Sequence, residues 1–155
     1  METTKQISVF LENKPGRLAQ VLSALAREKI NLRALAIMEH SGRGVLRMIA
    51  DDPARAARVL KQVGTPATEV EVLLVELKNQ PGALARVCER LGAEHVNIDY
   101  CYVSAGAPNG KTLGVFKVPN VKKVMRVLED NVNGTARRRL EPRPLRDRQS
   151  YQLAR

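Results

Sequence analysis

An Asn-X-Pro-Gly sequence occurs twice in this chain of 155 residues, once at Asn13–Gly16 and once at Asn79–Gly82. Glycine allows a bound group to approach the backbone closely, and an asparagine side chain offers both an amide oxygen and an NH2 group. The first turn of a helix has unpaired N–H groups and a partial positive charge, so it accepts a carboxylate. Both sequences therefore suit a small ligand that carries an ammonium group and a carboxylate.

The two sequences belong to a longer internal repeat with a constant offset, in which residue 11 aligns with residue 77. Residues 11–31 (LENKPGRLAQVLSALAREKIN) recur without a gap as residues 77–97 (LKNQPGALARVCERLGAEHVN), with ten of the 21 positions identical. Such self-similarity indicates two copies of one structural unit.

The hydrophobic period changes in the same order within each copy. In the first copy, alternating apolar residues at 7–11 predict a strand, and helical spacing at 18–25 predicts a helix. Because proline is tolerated in the first turn of a helix, each of these helices is expected to begin at its Pro-Gly pair. The predicted elements that follow are a strand to residue 39, a turn at 40–44, a strand at 45–49, a helix capped by Asp52 and ended by Gly64, and a strand at 67–71. The second copy repeats them as strands at 98–104 and 112–118 around a loop, a helix capped by Asn120, and a last strand at 135–140.

Each unit thus has the order β-α-β-β-α-β, which predicts an α+β protein of two ferredoxin-like units, each an antiparallel sheet with two helices on one face. We expect domains at residues 1–70 and 71–141, followed by a basic, flexible tail at 142–155. The segment from Gly64 to Asn79 must supply the last strand of unit one and the first strand of unit two, which leaves no linker between the units. Either one long strand bends between two sheets, or the units exchange edge strands.

The segment from Ile7 to Ile37 resembles the ACT domain, and residues 5–141 resemble the tandem ACT proteins of bacteria and archaea. The resemblance implies a non-catalytic protein in which an effector amino acid binds between the β1–α1 turn of one module and the second strand of an adjoining module. The ligand-binding residues assigned on this basis are Asn13, Lys14, Pro15, Gly16, Arg17, Leu18, Asn31, Leu32, Asn79, Gln80, Pro81, Gly82, Ala83, Leu84, Asn97 and Ile98.

The second strand of each unit begins at Asn31 or Asn97. A right-handed crossover places this point at the sheet end away from the turn of the same unit, so we expect a neighbouring unit, packed edge to edge in a homodimer, to complete the site. Serine-sensing ACT modules of the dehydrogenase type have a histidine where this chain has Leu11 and Leu77, which disfavours serine. These leucines, with Leu32 and Ile98, favour an aliphatic or aromatic effector.

An enzyme or a metal site is not indicated, because no titratable groups recur at a useful spacing. His40 is expected in a hairpin turn and His95 at a helix end, both facing solvent. Cys88 is expected in the core, and Cys101 has no ligand spacing around it. We expect no cofactor and no metal.

The expected location is the cytoplasm. The N-terminus has no secretory pattern, and no apolar stretch is long enough to span a membrane. Two cysteines are also few for a secreted scaffold.

Two alternatives remain open beside a free-standing amino-acid sensor. A net charge of +10, of which Gly134–Arg155 contribute +5 (seven arginines, one glutamate and one aspartate), suits a nucleic-acid-binding ferredoxin-like protein. Aromatic residues are only 3% of the chain, however, and form no cluster on which bases would stack. The other alternative is a regulatory subunit of a biosynthetic enzyme, similar to the small subunits of acetolactate synthase.

Overall fold

The computed structural model describes residues 1–40, 43–107 and 111–129. Over these residues the chain forms β1 (Glu2–Glu12), α1 (Arg17–Arg27), β2 (Leu32–His40), β3 (Arg43–Ala50), α2 (Pro53–Gln62), β4 (Ala67–Lys78), α3 (Ala83–Ala93), β5 (Tyr100–Ala107), β6 (Lys111–Lys117) and α4 (Val121–Glu129). The predicted order of strands and helices is confirmed for these elements. The expected last strand at 135–140 and the basic tail at 142–155 lie outside the described residues.

The six strands of the described residues form one antiparallel sheet in the order β2-β3-β1-β4-β6-β5. The first unit has the predicted ferredoxin-like order β2-β3-β1-β4. Strand β4 crosses the expected boundary between residues 70 and 71 and takes part in both units: Ala67–Leu74 pair with β1, and Leu73–Lys78 pair with β6. One long strand therefore serves as the last strand of unit one and the first strand of unit two, within one sheet.

Local sequence signals set the helix ends. Asp52 caps α2 by accepting a hydrogen bond from the Arg55 N–H at 2.9 Å, with Pro53 at the first helical position. Asn120 caps α4 in the same way, through the Lys123 N–H at 2.9 Å. Gly64 ends α2 at φ +70°, as predicted. The described helices have 9 to 11 residues, and none of them has the length and apolar character needed to cross a bilayer.

The four helices within the described residues lie on one face of the sheet, above one apolar core in each unit. The core of unit one joins β1 and β3 to α1 and α2 through fully buried residues such as Ile7, Met48 and Leu60. The core of unit two joins β4 and β6 to α3 and α4, with Leu73 and Phe116 fully buried. The aliphatic composition of the chain is accounted for by these two cores.

The other face of the sheet, which we call the open face, is partly buried because the sheet curls. Strands β1 and β5 are three strands apart in the sheet order, so in a flat sheet they would be too distant for direct contact. Nevertheless, Gln6 on β1 hydrogen bonds to Tyr100 on β5 at 2.7 Å. A third apolar cluster fills the space inside the curl, made of Ala34, Ile49, Val72, Leu74, Leu113 and Val115 with Tyr102 packed against them. The open face of unit one is therefore covered in part by unit two.

A small polar group lies inside this junction. Gln6 is 0% exposed, and its amide NH2 donates to the Tyr100 hydroxyl and, at 3.0 Å, to the Ser8 hydroxyl. The Tyr102 hydroxyl donates to the Gln6 amide oxygen at 3.2 Å, and the guanidinium of Arg47 lies 4.3 Å from the centre of the Tyr100 ring. These contacts join residues of unit one to the first residues of β5.

Candidate functional site

The two Asn-X-Pro-Gly sequences form type II turns. In the first copy the Arg17 N–H donates to the Lys14 carbonyl at 3.3 Å, with Pro15 second in the turn and Gly16 third at φ +84°. In the second copy Ala83 donates to Gln80 at 3.2 Å, and Gly82 has φ +80°. The expectation that the helices begin at the prolines is therefore wrong. A Pro-Gly pair satisfies the type II turn, so each helix begins after its glycine.

The first turn leaves the beginning of α1 open to a ligand. The first helical hydrogen bond of α1 runs from the Gln20 N–H to the Gly16 carbonyl at 2.9 Å, and Gly16 has no side chain to cap the helix. The N–H groups of Leu18 and Ala19 have no hydrogen-bond acceptor within the described residues. Unpaired N–H groups at a helix start attract an anion such as a carboxylate.

A groove adjoins this helix start in the first copy. Its volume is about 480 Å³, and it runs between α1 and the end of α2, lined by Gly16, Arg17, Ala19, Gln20, Val21, Ser23, Ala24, Arg27, Val63 and Thr65. The Arg17 Nη1 donates to Gln20 Oε1 at 2.9 Å, while its Nε is buried without a partner among the described residues. Sites for small molecules have volumes of this order.

The second turn is not equivalent to the first. A Cβ atom built on Gly16 would have no neighbour within 4 Å, whereas a Cβ atom on Gly82 would lie 3.1 Å from Nη1 of Arg86. Arg86 occupies the position that Gln20 has in the first copy. Its cationic group lies over the second turn and brings a positive charge close to that helix start.

The asparagines that precede the two turns are exposed, while the strand-start asparagines lie elsewhere. Asn31 exchanges hydrogen bonds with Asp51, at the end of the sheet where Leu32 pairs with Ala50. The turn of unit one lies at the other end, beside Arg43, about 23 Å away along β3. Asn97 precedes Tyr100, which contacts Gln6 and not the turn. The structure therefore brings neither Asn31 nor Asn97 onto the first turn.

The apolar residues that favoured an aliphatic or aromatic effector lie in the cores. Leu11 is 3% exposed and Leu77 is 6% exposed. Leu32 and Ile98 pack against the same two clusters, as do Leu18, Ala83 and Leu84. Packing explains why these positions are apolar, so they carry no information about the ligand.

Sequence reasoning missed Val63 and Thr65, which close the groove from the end of α2. The signal that was available is Gly64, since a helix that ends there and packs beside α1 brings its last residues to the α1 groove.

Residues with reactive side chains lie apart from both turns. Cys88 is half-buried against the second core, and this burial, followed by the effect of Cys101, raises the pKa of its thiol. His95 follows α3 with φ +51° and is exposed, whereas the side chain of His40 is outside the described part of the chain. Within the described residues no cluster of His, Cys, Asp or Glu is able to hold a metal ion.

Comparison with known proteins agrees with this architecture. A family described as ACT domain pair matches residues 2–140. Protein BT0572 from Bacteroides thetaiotaomicron is 41% identical, with a TM-score of 0.76 over 83% of this chain and 88% of that one. The regulatory subunit of aspartate kinase from Thermus thermophilus shares the fold at 14% identity, with a TM-score of 0.62 over 84% of this chain and 97% of its own. No curated protein matches the chain. The match over residues 2–140 shows that the chain belongs to the ACT domain pair family.

Proposed function

We propose that this protein is a non-catalytic regulator that binds a free amino acid at the first Asn-X-Pro-Gly turn. The observation that carries the proposal is the open groove beside Gly16, which is lined by Gly16 and Ala19 at the unpaired helix start of α1 and by the cationic residue Arg17. A ligand with both a carboxylate and an ammonium group matches the chemistry available there.

The proposed contacts follow from the charges. The carboxylate accepts hydrogen bonds from the N–H groups of Leu18 and Ala19 and is attracted by Arg17, while the amide oxygen of Asn13 accepts one from the ammonium group. The effector side chain lies toward Val63, which is 48% exposed and gives the groove an apolar wall. An aliphatic or aromatic side chain gains most from that wall.

A second copy of the chain completes the site in this proposal, packed against the first as a homodimer. The support is the separation of about 23 Å between the first turn and the start of β2 within one chain. A neighbouring module that presents its Asn31 or Asn97 to the turn would supply the remaining polar contacts.

We further propose that occupancy is read by a partner enzyme in the cytoplasm. Solved structures with the same fold include regulatory subunits of aspartate kinase from two Thermus species, Thermus thermophilus and Thermus flavus. A regulatory subunit resembling that of acetolactate synthase is a second form of this proposal. In either case the ligand shifts an equilibrium through its differential affinity for two states.

A nucleic-acid-binding role has less support in the structure. Of the described aromatic residues, Phe116 is buried, and Tyr100 and Tyr102 are half-buried and hydrogen bonded to Gln6. Phe10 is exposed, and one ring is not a platform for successive bases.

The test is a thermal-shift screen of the protein against each of the twenty amino acids, with a short RNA oligonucleotide in parallel. Ligand above its Kd raises the melting temperature, because it binds the folded state. One selective amino acid is expected to do so, and calorimetry then gives its affinity and stoichiometry. A shift with RNA alone would replace the proposal with the nucleic-acid alternative.

Equivalent substitutions in the two copies locate the site. Asn13→Ala is expected to weaken binding about 10-fold to 100-fold, the effect of losing one hydrogen bond to a charged group. Asn79→Ala is the matched control, because its turn is covered by Arg86, and it should change the affinity much less. Unchanged affinity in the double variant Asn13→Ala/Asn79→Ala would remove the site assignment.

A further inference from the structure

The two cysteines of the chain both lie in unit two, on the helix side of the sheet. Cys88 is on α3 and packs against the core of unit two. Cys101 is on β5 opposite Phe116, which is fully buried in that core. Residues opposite each other in an antiparallel pair lie on the same face of the sheet, so Cys101 also faces the layer of helices.

The side of α3 that carries Cys88 faces β5. Arg90 of α3 donates hydrogen bonds to the carbonyl oxygens of Val127 and Leu128 at the end of α4, so the Arg90 side of α3 faces α4. Residues two positions apart in an α-helix are separated by about 200° around its axis, which puts Cys88 on nearly the opposite side. Helix α4 contacts β4, and β5 lies at the other end of unit two in the strand order β4-β6-β5. The side of α3 away from α4 is therefore the side of β5.

The two thiols also interact electrostatically. Burial is the main cause that raises the pKa of the Cys88 thiol, and the charge of Cys101 is the next. The interaction between two charges weakens with distance, so this effect is consistent with neighbouring thiols. Strand β5 is at the edge of the sheet and pairs with β6 on one side only within the described residues, which leaves it free to move toward α3.

Unit one shows what the fold requires at the positions of the two cysteines. In the alignment of the two copies, Cys88 corresponds to Leu22 and Cys101 to Leu35. A buried cysteine acts as a small apolar residue, which is enough to explain Cys88. Cys101 is exposed, although cysteine is among the residue types most often buried. Packing therefore does not account for a thiol at both positions of this facing pair.

We propose that Cys88 and Cys101 are a redox-active pair that forms a reversible disulfide between α3 and β5 by exchange with a low-molecular-weight disulfide. The thiolate of Cys101 attacks one sulfur of the small disulfide and forms a mixed disulfide, and the first small thiolate leaves and takes up the proton that Cys101 lost. Cys88 then loses its proton and attacks the Cys101 sulfur, which releases the second small thiol. Two protein thiols and one small disulfide thus become one protein disulfide and two small thiols.

The order of the two steps follows from the exposure of the thiols. Only a thiolate attacks a disulfide, so the exposed Cys101 reacts first with a molecule from solution. Burial keeps Cys88 protonated until the mixed disulfide brings a target beside it. The new bond fixes the start of β5, where Tyr100 and Tyr102 on either side of Cys101 hydrogen bond to Gln6 of unit one. Oxidation therefore acts on the strand that joins the two units.

Thiol exchange on the full chain tests the pair. The reduced protein is equilibrated without denaturant at increasing ratios of oxidised to reduced glutathione, alkylated, and analysed by intact mass and by non-reducing peptide mapping. The wild type is expected to lose both thiols to a bond within one chain, and dithiothreitol is expected to restore them. The equilibrium constant for this bond should be at least about 10-fold larger than in the same chain unfolded in urea, because the fold holds the two thiols together.

Two variants with one cysteine each separate the roles of the thiols. Cys88→Ala lacks the second thiol and is expected to accumulate the glutathione adduct on Cys101. Cys101→Ser keeps only the half-buried thiol and should form an adduct at least about 10-fold more slowly. Circular dichroism establishes that both variants keep the fold.

Three results would overturn the proposal. They are wild type that stops at the glutathione adduct of Cys101, a disulfide that forms only between two chains, and a bond within one chain that is no more favourable in the folded protein than in urea. Equal adduct rates in the two variants would overturn the assignment of Cys101 as the attacking thiol. No amino acid is added, so none of these outcomes depends on the proposed function.

Discussion

Replacing Gln6 measures how strongly the two units are held together. Its amide makes three hydrogen bonds inside the junction, to Ser8, Tyr100 and Tyr102, at distances of 2.7 to 3.2 Å. A typical protein hydrogen bond contributes about 1 kcal/mol net to stability. Gln6→Leu keeps much of the side-chain volume and removes all three bonds, while both half-buried tyrosine hydroxyls regain some access to water. We therefore expect the free energy of unfolding to fall by about 2–3 kcal/mol.

Tyr100→Phe separates the contact between units from the local bond to Ser8. The variant removes the bond of 2.7 Å and leaves the Gln6 amide paired with Ser8 and Tyr102. We expect a loss of about 1 kcal/mol in the free energy of unfolding. The double variant Gln6→Leu/Tyr100→Phe should cost less than the sum of the single variants, by about 1 kcal/mol of coupling.

Urea unfolding followed by far-UV circular dichroism gives these free energies, provided that the slope with urea concentration stays constant across the variants. The reasoning fails if Tyr100→Phe unfolds at the same urea concentration as the wild type and the coupling is zero. In that case the curl of the sheet would be held by the apolar cluster alone, and the polar group would contribute nothing to it.

Two further predictions concern packing and pH. Gly114→Ala places a Cβ atom 2.8 Å from a ring carbon of Phe116. Overpacking of this kind is expected to destabilise the protein by about 1–3 kcal/mol. Gly92→Ala is its control in the same urea assay: its Cβ would have no neighbour within 4 Å, and alanine favours the helix, so equal losses in both variants would contradict the packing argument. Burial, and secondarily Tyr100, raises the pKa of Tyr102 above its ordinary value of 10.0. The unfolded chain therefore loses this proton first, so the contribution is complete below about pH 10 and is lost as the pH rises further. Tyr102→Phe should flatten this alkaline loss, and an unchanged slope of stability against pH would show that Tyr102 titrates normally.

The starts of α1 and α2 show where the rule that proline begins a helix predicts the first helical residue correctly and where it does not. The Asp52-Pro53 pair correctly predicts an N-cap followed by the first helical residue, because the aspartate side chain precedes the proline and reaches a free N–H group. The same proline rule applied to the Pro15-Gly16 pair misplaces the start of α1. A glycine after the proline favours a type II turn, since it tolerates φ near +80° where other residues are strained.

Gln6 shows where the alternating pattern of a strand stops being informative. Gln6 precedes the alternating apolar residues of β1 and shares a strand face with Ser8. This pattern predicts a side chain in water, and in a single sheet with one covered face the prediction would hold. Gln6 is nevertheless fully buried, because β5 of the other unit folds over the open face. Its two tyrosine partners are 94 and 96 positions away in the chain, beyond the range of any local pattern.

The amino-acid sequence by itself determined the two-fold repeat, the order of strands and helices, the caps at Asp52 and Asn120, and the presence of the two Pro-Gly turns. Each of these depends on residues within one or two turns of the chain, or on direct identity between the copies. The tertiary structure alone decided that β4 serves both units, that the sheet curls over Gln6, and that the first turn has an open groove while Arg86 covers the second. These features depend on which surfaces meet after both units have formed, and a side chain's neighbours across such a contact are not encoded in its local spacing.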